Sequence, residues 1–233
     1  MRQIILDTET TGLDPAQGHR LIELAALELV NRRLTGNRFH RYLNPEREID
    51  EGALQVHGLT VEFLADKPRF ADVADEFLAF IQGAELVIHN APFDMGFLDH
   101  ELALIGREPL LNYCAGVVDT LKLAREINPG QRNSLDALCK RYGVDNSNRT
   151  LHGALLDAEL LAEVYLALTR GQESLMIELD TPPAAAGAGL MTSDAPLVVL
   201  RATEEELAAH EALLAELDKE SKGGCLWRLT PPG

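Results

Sequence analysis

Apolar runs along the chain alternate between a strand period and a helix period. The stretch IILDTETTGLD begins with three apolar residues and leads directly into two carboxylates, Asp7 and Glu9. The stretches ELVIHN and AGVVDT read as two further buried strands. The stretch FADVADEFLAFIQG has helical spacing and ends at a glycine. Because strands and helices alternate, the pattern predicts an α/β domain.

The pattern between residues 19 and 45 fits two structures. It reads as a hairpin of two β-runs with a turn at Thr35–Asn37, although the spacing of Leu21–Val30 also fits a helix. Four later stretches are predicted as helices: APFDMGFLDHELALIG, TLKLAREINPG, SLDALCKRYG and HGALLDAELLAEVYLAL.

The composition changes after the last of these helices. Residues 178–196 contain DTPPAAAGAG, a proline-, alanine- and glycine-rich stretch without periodicity, which is typical of a linker. This divides the chain into a domain at 1–177, a linker at 178–196 and a C-terminal segment at 197–233. In that segment LVVL resembles a strand, and a helix is predicted from Thr203 to Leu217 with a capping box between Thr203 and Glu206.

Charge and cysteine content exclude some protein classes. The net charge of −16 argues against a general nucleic-acid coat protein, which would carry a basic surface. The three cysteines are too widely spaced for a disulfide framework or a zinc motif, which favours a reducing compartment. The chain enters a strand almost at once, and it contains no apolar run of membrane-spanning length. We therefore expect a cytoplasmic protein without a membrane segment.

Four carboxylates lie where predicted elements begin or end. Asp7 and Glu9 end the first strand and point to the same side, while Asp94 and Asp157 lie early in two helices. Side chains at such positions can converge on one crevice of an α/β sheet. Four carboxylates in one crevice need cations, and their oxygen atoms suit two Mg²⁺ or Mn²⁺ ions. If His152 lies on the loop before the last helix, it reaches the same crevice as a general base.

Other polar residues have simpler interpretations. A lone aspartate in the first turn of a helix usually serves only the helix dipole and solvent. Asp119 fits a helix N-cap, and Asp136 and Asp145 fit solvated surface or turn positions. The spacing does not decide whether His57 contacts a substrate or belongs to a loop.

Three motifs in order resemble the DEDDh family of 3′–5′ exonucleases: LDTETTGLDP, HNAPFDMGFLDHEL and RTLHGALLDAELLAEVYLAL. The resemblance covers about residues 2 to 170. It implies a ribonuclease-H-like fold, a mixed five-stranded sheet flanked by helices, followed here by a flexible C-terminal tail. It also implies that Asp7, Glu9, Asp94 and Asp157 bind two metal ions, with His152 as the catalytic base. Asp7, Glu9, His57 and Asp157 would contact the substrate, a DNA 3′ end.

Several stretches, among them RNSLDALCKRYGVDNSNRTLHGALLDAE, resemble more narrowly the branch of this family that proofreads for bacterial DNA polymerase III. The tail ATEEELAAHEALLAELDKESKGGCLWR supports this narrower resemblance. In that branch the C-terminal segment docks on the polymerase (alpha) subunit, and a small theta-like partner is also implied. The stretch GQESLMI resembles a sliding-clamp-binding peptide, in which Gln172 would supply hydrogen bonds while Leu175 and Ile177 fill an apolar pocket.

Two alternative functions remain open from the sequence. The first is a ribonuclease that trims RNA 3′ ends, because the metal chemistry would be the same. The second is a non-catalytic adaptor of the replication machinery with a vestigial site.

Overall fold

A computed structural model describes residues 1–149, 151–170 and 202–220. The chain divides into two compact units, Met1–Met176 and Ile177–Gly233. The predicted strand-like segment LVVL, the predicted linker and the clamp-like peptide lie outside the described residues.

The first unit is built on a mixed five-stranded sheet, as the family resemblance implies. Its spatial order is β3-β2-β1-β4-β5; β1 pairs with β2 and β2 with β3 in antiparallel fashion, while β4 lies parallel to β1 and β5. The strand Leu21–Val30 excludes the alternative helix for that stretch. The strands are β1 (Arg2–Thr10), β2 (Leu21–Val30), β3 (Arg33–Tyr42), β4 (Glu85–Ile88) and β5 (Gly116–Asp119).

The β2–β3 hairpin turns four residues earlier than the sequence predicts. Asn31 and Arg32 form a two-residue turn with φ of 49° and 63°, the left-handed geometry that suits tight hairpins. The predicted turn around Gly36 is instead a register shift in β3, with φ of 86° at that glycine. The prediction of a turn at Thr35–Asn37 was therefore wrong, because the polar stretch forms a bulge whose side chains bind Glu28 on β2.

Helices cover both faces of the sheet. Because side chains of β1 alternate, Ile4 and Leu6 pack in the core formed with α3 and α4, whereas Ile5 packs in the core formed with α6 and α7. The helices of this unit are α1 (Glu51–His57), α2 (Val61–Leu64), α3 (Phe70–Ile81), α4 (Ala91–Leu104), α5 (Thr120–Ile127), α6 (Leu135–Tyr142) and α7 (Ala154–Leu168).

The described part of the second unit is one helix, α8 (Glu204–Glu220). The Thr203 amide donates to Glu206 Oε2 at 2.8 Å, and the Glu206 amide donates to Thr203 Oγ1 at 3.3 Å. This reciprocal pair is the predicted capping box, and it satisfies amide groups that have no partner inside the helix. Within the described ranges, no helix combines the length and apolar character that crossing a membrane requires.

Candidate active site

The end of β1 presents two carboxylates on the same face of the sheet. Asp7 and Glu9 share the parity of Ile5, whose side chain packs with α6 and α7. Both line a cleft of about 780 Å³ at the ends of β1 and β4. The intervening Thr8 points the other way and donates its hydroxyl to Asp94 Oδ1 at 2.7 Å.

Asp94 reaches the cleft from the first turn of α4. The helix follows β4 through Asn90, whose φ of 66° turns the chain sharply before the helix begins. Asp94 is 3 % exposed, and burial raises its pKa to about 7 despite the opposing effect of the Thr8 hydrogen bond. The Thr8 contact therefore fixes a buried carboxyl group against β1.

Asp157 lies in the first turn of α7, and the same cleft reaches it. Its two oxygens accept hydrogen bonds from Arg149, Oδ1 from Nε at 2.6 Å and Oδ2 from Nη2 at 2.5 Å. The N-terminus of α7 is itself anchored by Glu23 on β2, whose Oε2 accepts the Ala154 amide at 3.1 Å. Asp157 is thus bound by Arg149 on the preceding loop, and the start of its helix is bound by Glu23 on β2.

Burial raises the pKa values of three of these carboxyl groups, Asp7, Glu9 and Asp94. Burial is the largest cause that raises the pKa of Asp7, followed by the charges of Asp94 and Asp157. Burial also raises the pKa of Glu9 to about 8, with further contributions from Asp157 and Glu23. A bound cation would reverse this balance, because it stabilises the ionised form of every carboxylate around it.

The donor atoms present fit a divalent metal ion. Glu9, His152 and Asp157 each offer one ligand atom, and these atoms all lie within 4.8 Å of one another. A set dominated by carboxylate oxygens suits hard ions such as Mg²⁺ or Mn²⁺.

His152 lies on the loop before α7, at the position required for it to reach the cleft. Its Nδ1 is 3.6 Å from Asp157 Oδ2, and its backbone amide donates to the Val56 carbonyl at 3.0 Å. The loop also packs closely on Gly58, where an added Cβ would lie 2.7 Å from Leu151 Cδ1. Contacts with the end of α1 thus hold His152 near the carboxylates, and its side chain is about half exposed.

His57 lines a second cavity, of about 400 Å³, that adjoins the first through Glu9 and Phe93. Its Nδ1 accepts a hydrogen bond from the Leu59 amide at 3.0 Å, whereas its buried Nε2 makes no hydrogen bond with the described residues. Burial lowers the pKa of His57, which favours a neutral ring. Leu13 also lines this cavity and is 84 % exposed. A polar atom inside a largely apolar cavity is suited to fixing the orientation of a ligand.

The sequence interpretation missed three residues that position the carboxylate cluster. Thr8 and Arg149 bind Asp94 and Asp157 directly, and Glu23 anchors the start of α7. The interpretation also assigned Asp136 to solvated surface, and this was incomplete, because Asp136 Oδ1 accepts Arg149 Nη1 at 2.8 Å. No sequence spacing signals these contacts, since each joins residues from different elements.

Two other aspartates have the predicted structural roles. Asp119 caps α5 by accepting the Leu121 and Lys122 amides, and Asp145 accepts the Ser147 amide in a turn. Gln172, Leu175 and Ile177 lie outside the described residues.

Comparisons with known proteins show the family of this chain. The RNase_T model, described as an exonuclease, matches residues 4–165. DNA polymerase III subunit epsilon of Escherichia coli K12 is 54 % identical over 237 residues, covering 97 % of each chain. The Rickettsia felis protein of that name is 50 % identical, covering 94 % of this chain and 98 % of its own.

Among solved structures, exonuclease X in complex with 5′ overhanging duplex DNA is similar in both sequence and fold. It has a TM-score of 0.57 and 27 % identity, and the match covers 73 % of this chain and 92 % of exonuclease X.

Proposed function

Since this chain belongs to the exonuclease family of DNA polymerase III epsilon subunits, we propose that Asp7, Glu9, Asp94 and Asp157 hold two divalent ions for phosphodiester hydrolysis. The chain is a 3′–5′ exonuclease, and its proposed physiological task is to remove mismatched 3′-terminal deoxynucleotides. The family depends on divalent metal ions, and we propose Mg²⁺ or Mn²⁺ for this member.

The residues of the cleft divide the chemical work. When bound, the ions would activate a water and stabilise the developing charge on the leaving oxygen. Asp7, Glu9 and Asp157 would bind them directly, and Asp94 would complete the set directly or through a water. His152 would accept the proton of the attacking water, because its half-exposed imidazole lies beside Asp157 at the cleft.

The adjoining cavity is the proposed site of the terminal nucleotide. Leu13 and Phe93 supply apolar surface for an unstacked base, and Nε2 of His57 supplies a polar contact. These groups do not form the donor and acceptor pattern that would distinguish one base from another, so the proposed activity is independent of the DNA sequence. Mismatched ends are preferred because they cost less to unpair.

The convergence of four carboxylates from β1, α4 and α7 on one cleft is the observation that carries this proposal. Its test is release of mononucleotides from a 3′-mismatched DNA primer by the purified protein, with Mg²⁺, with Mn²⁺ and with EDTA. We expect cleavage with the metals and none with EDTA. Metal-independent release would overturn the assignment, and preference for a matched RNA primer would favour the ribonuclease alternative.

We further propose the division into an exonuclease domain at 1–177, a linker at 178–196 and a polymerase-binding segment at 197–233. The segment would dock on the polymerase (alpha) subunit, and the catalytic domain would accept a small theta-like partner. In support, the relatives align over nearly the whole chain, tail included, and α8 exposes Leu207, Leu213 and Leu217. This assembly would act in the cytoplasm.

Residues 172–177 are the proposed contact with the sliding clamp. The amide of Gln172 would make hydrogen bonds while Leu175 and Ile177 enter an apolar pocket. Gln172→Ala should weaken clamp binding in a pull-down while nuclease activity on single strands stays unchanged. Unchanged clamp binding would contradict the assignment.

A further inference from the structure

Arg149 binds both carboxylate oxygens of Asp157. Its side chain is only 6 % exposed, and its Nε and Nη2 atoms bind the two Asp157 oxygens in a bidentate pair. Such paired contacts are the strongest class of arginine–carboxylate interaction. An arginine guanidinium stays charged in proteins, so Arg149 meets Asp157 as a cation.

The same guanidinium has a second acidic partner outside the carboxylate cluster. Arg149 Nη1 donates to Asp136 Oδ1 at 2.8 Å. Asp136 lies at the start of α6, and its side chain is 58 % exposed. Asp136 Oδ1 also accepts the Asn146 side-chain amide at 3.0 Å, which fixes its orientation. Arg149 can therefore release Asp157 and still keep an ionic partner.

We propose that Arg149 is a built-in counter-charge that neutralises Asp157 in the metal-free enzyme and is exchanged for the divalent ion, remaining held by Asp136. This inference rests on the proposed metal-dependent function. An ion and a guanidinium that approach the same carboxylate oxygens repel each other and compete for them. Arg149 thus lowers the affinity for metal while stabilising the metal-free fold.

Release of Asp157 would also change the surroundings of His152. Arg149 Nη2 lies 3.0 Å from His152 Nδ1, and because a guanidinium only donates, that nitrogen must accept. A neutral His152 paired in this way carries its proton on Nε2. Movement of Arg149 toward Asp136 frees the ring to turn, so metal loading and positioning of the proposed base are coupled.

The test is a Mn²⁺ titration followed by the electron paramagnetic resonance of free Mn²⁺, combined with thermal unfolding with and without the ion. For Arg149→Gln we expect Mn²⁺ affinity to rise by about tenfold. We also expect a lower unfolding midpoint in EDTA and a larger rise of the midpoint on adding Mn²⁺. Arg107→Gln is the matched control, because Arg107 pairs with exposed Asp75 on α3 and the variant loses the same charge.

The results separate this inference from the proposed function. Wild-type protein that binds Mn²⁺ while Arg149→Gln binds it equally or more weakly overturns only the counter-charge role, since Arg149 would then support the metal site. Wild-type protein that binds no Mn²⁺ overturns both proposals. Arg149→Lys, which keeps the charge but loses the bidentate geometry, should show an intermediate gain if the glutamine variant does not fold.

A double-mutant cycle with Asp136→Asn tests the exchange itself. Without its second partner Arg149 should stay on Asp157, so Mn²⁺ affinity should fall in the wild-type background and change less in the Arg149→Gln background. An equal fall in both backgrounds would mean that Asp136 acts only through its own charge, and it would contradict the exchange.

Discussion

Single carboxylates in the cleft are expected to control chemistry more than folding. Asp7→Asn removes the possibility of a charge at a buried position among other carboxyl groups, so we expect an unfolding midpoint in EDTA at least equal to that of the wild type. The same change should lower Mg²⁺-dependent turnover by more than about 100-fold, because a proposed direct ligand is lost. Asp75→Asn, on the exposed side of α3, is the control. Normal turnover in Asp7→Asn would exclude it as a ligand.

The buried carboxyl groups also predict an unusual dependence of stability on pH. Burial raises the pKa of Asp94 to about 7 and that of Glu9 to about 8 in the metal-free fold. The folded state therefore keeps protons that the unfolded chain has already released, and stability falls as pH rises through these values. His57 and His89, whose pKa values are lowered by burial, act in the opposite direction, but only below about pH 6.5.

The measurable window is therefore pH 6.5 to 8, where the carboxyl groups titrate and the buried histidines are already neutral. Unfolding midpoints in EDTA should fall across this window, and the fall should be smaller in Asp94→Asn. That variant retains an oxygen for the Thr8 hydroxyl but cannot ionise. A midpoint that stays constant or rises with pH would contradict the predicted protonation.

Prediction from sequence succeeded at this scale where the signal is local. The alternation along β1 puts Asp7 and Glu9 on the same side, and this follows from strand geometry alone. The pairing of Arg149 with Asp157 and Asp136 depends on how the loop before α7 lies against α6, which no periodicity encodes.

At the scale of elements, the hairpin shows what pattern reading can and cannot decide. The polar residues around Gly36 look like a turn, but the backbone places the turn at Asn31 and Arg32 and uses the glycine for a bulge. Both solutions require a residue that tolerates positive φ, so composition alone does not separate them. Register does, because the side chains of Thr35 and Asn37 can then bind Glu28 across the ladder.

Helix α8 offers a test of the proposed polymerase contact. Leu213 and Leu217 are exposed and four residues apart, a spacing that puts them on the same face, as in a helix that binds a groove. Combining Leu213→Asp with Leu217→Asp should abolish co-purification with the polymerase subunit and leave nuclease activity on single strands within about twofold, because the catalytic residues lie in the other unit. Ala215→Asp, on the opposite side of the helix, should retain binding. Circular dichroism would show whether each variant keeps its helix. Loss of binding in all variants would contradict the proposal that one face of α8 contacts the polymerase.

At the scale of the whole molecule, the net charge of −16 conflicts with binding a polyanion. The cleft relieves this conflict locally, since Arg125, Arg132 and Arg149 line it together with the carboxylates. Three arginines do not make a general nucleic-acid surface, so the free protein is expected to bind DNA weakly. A tether to the polymerase would replace electrostatic attraction, because a flexible link can hold the substrate at millimolar effective concentration.

From this tether we expect the polymerase to stimulate nuclease cleavage of one kind of substrate more than another. A paired primer with a 3′ mismatch is bound by the polymerase and so delivered to the nuclease, whereas a single strand gains less from the complex. Adding the polymerase subunit should therefore raise the cleavage rate on mismatched duplex ends by at least about tenfold more than on single strands of the same sequence. Rates are compared at equal protein concentration and salt, with the α8 double variant as the control that cannot be tethered. Equal stimulation of both substrates would mean that the polymerase activates the cleft directly, and the tether would then explain nothing about how so acidic a chain finds DNA.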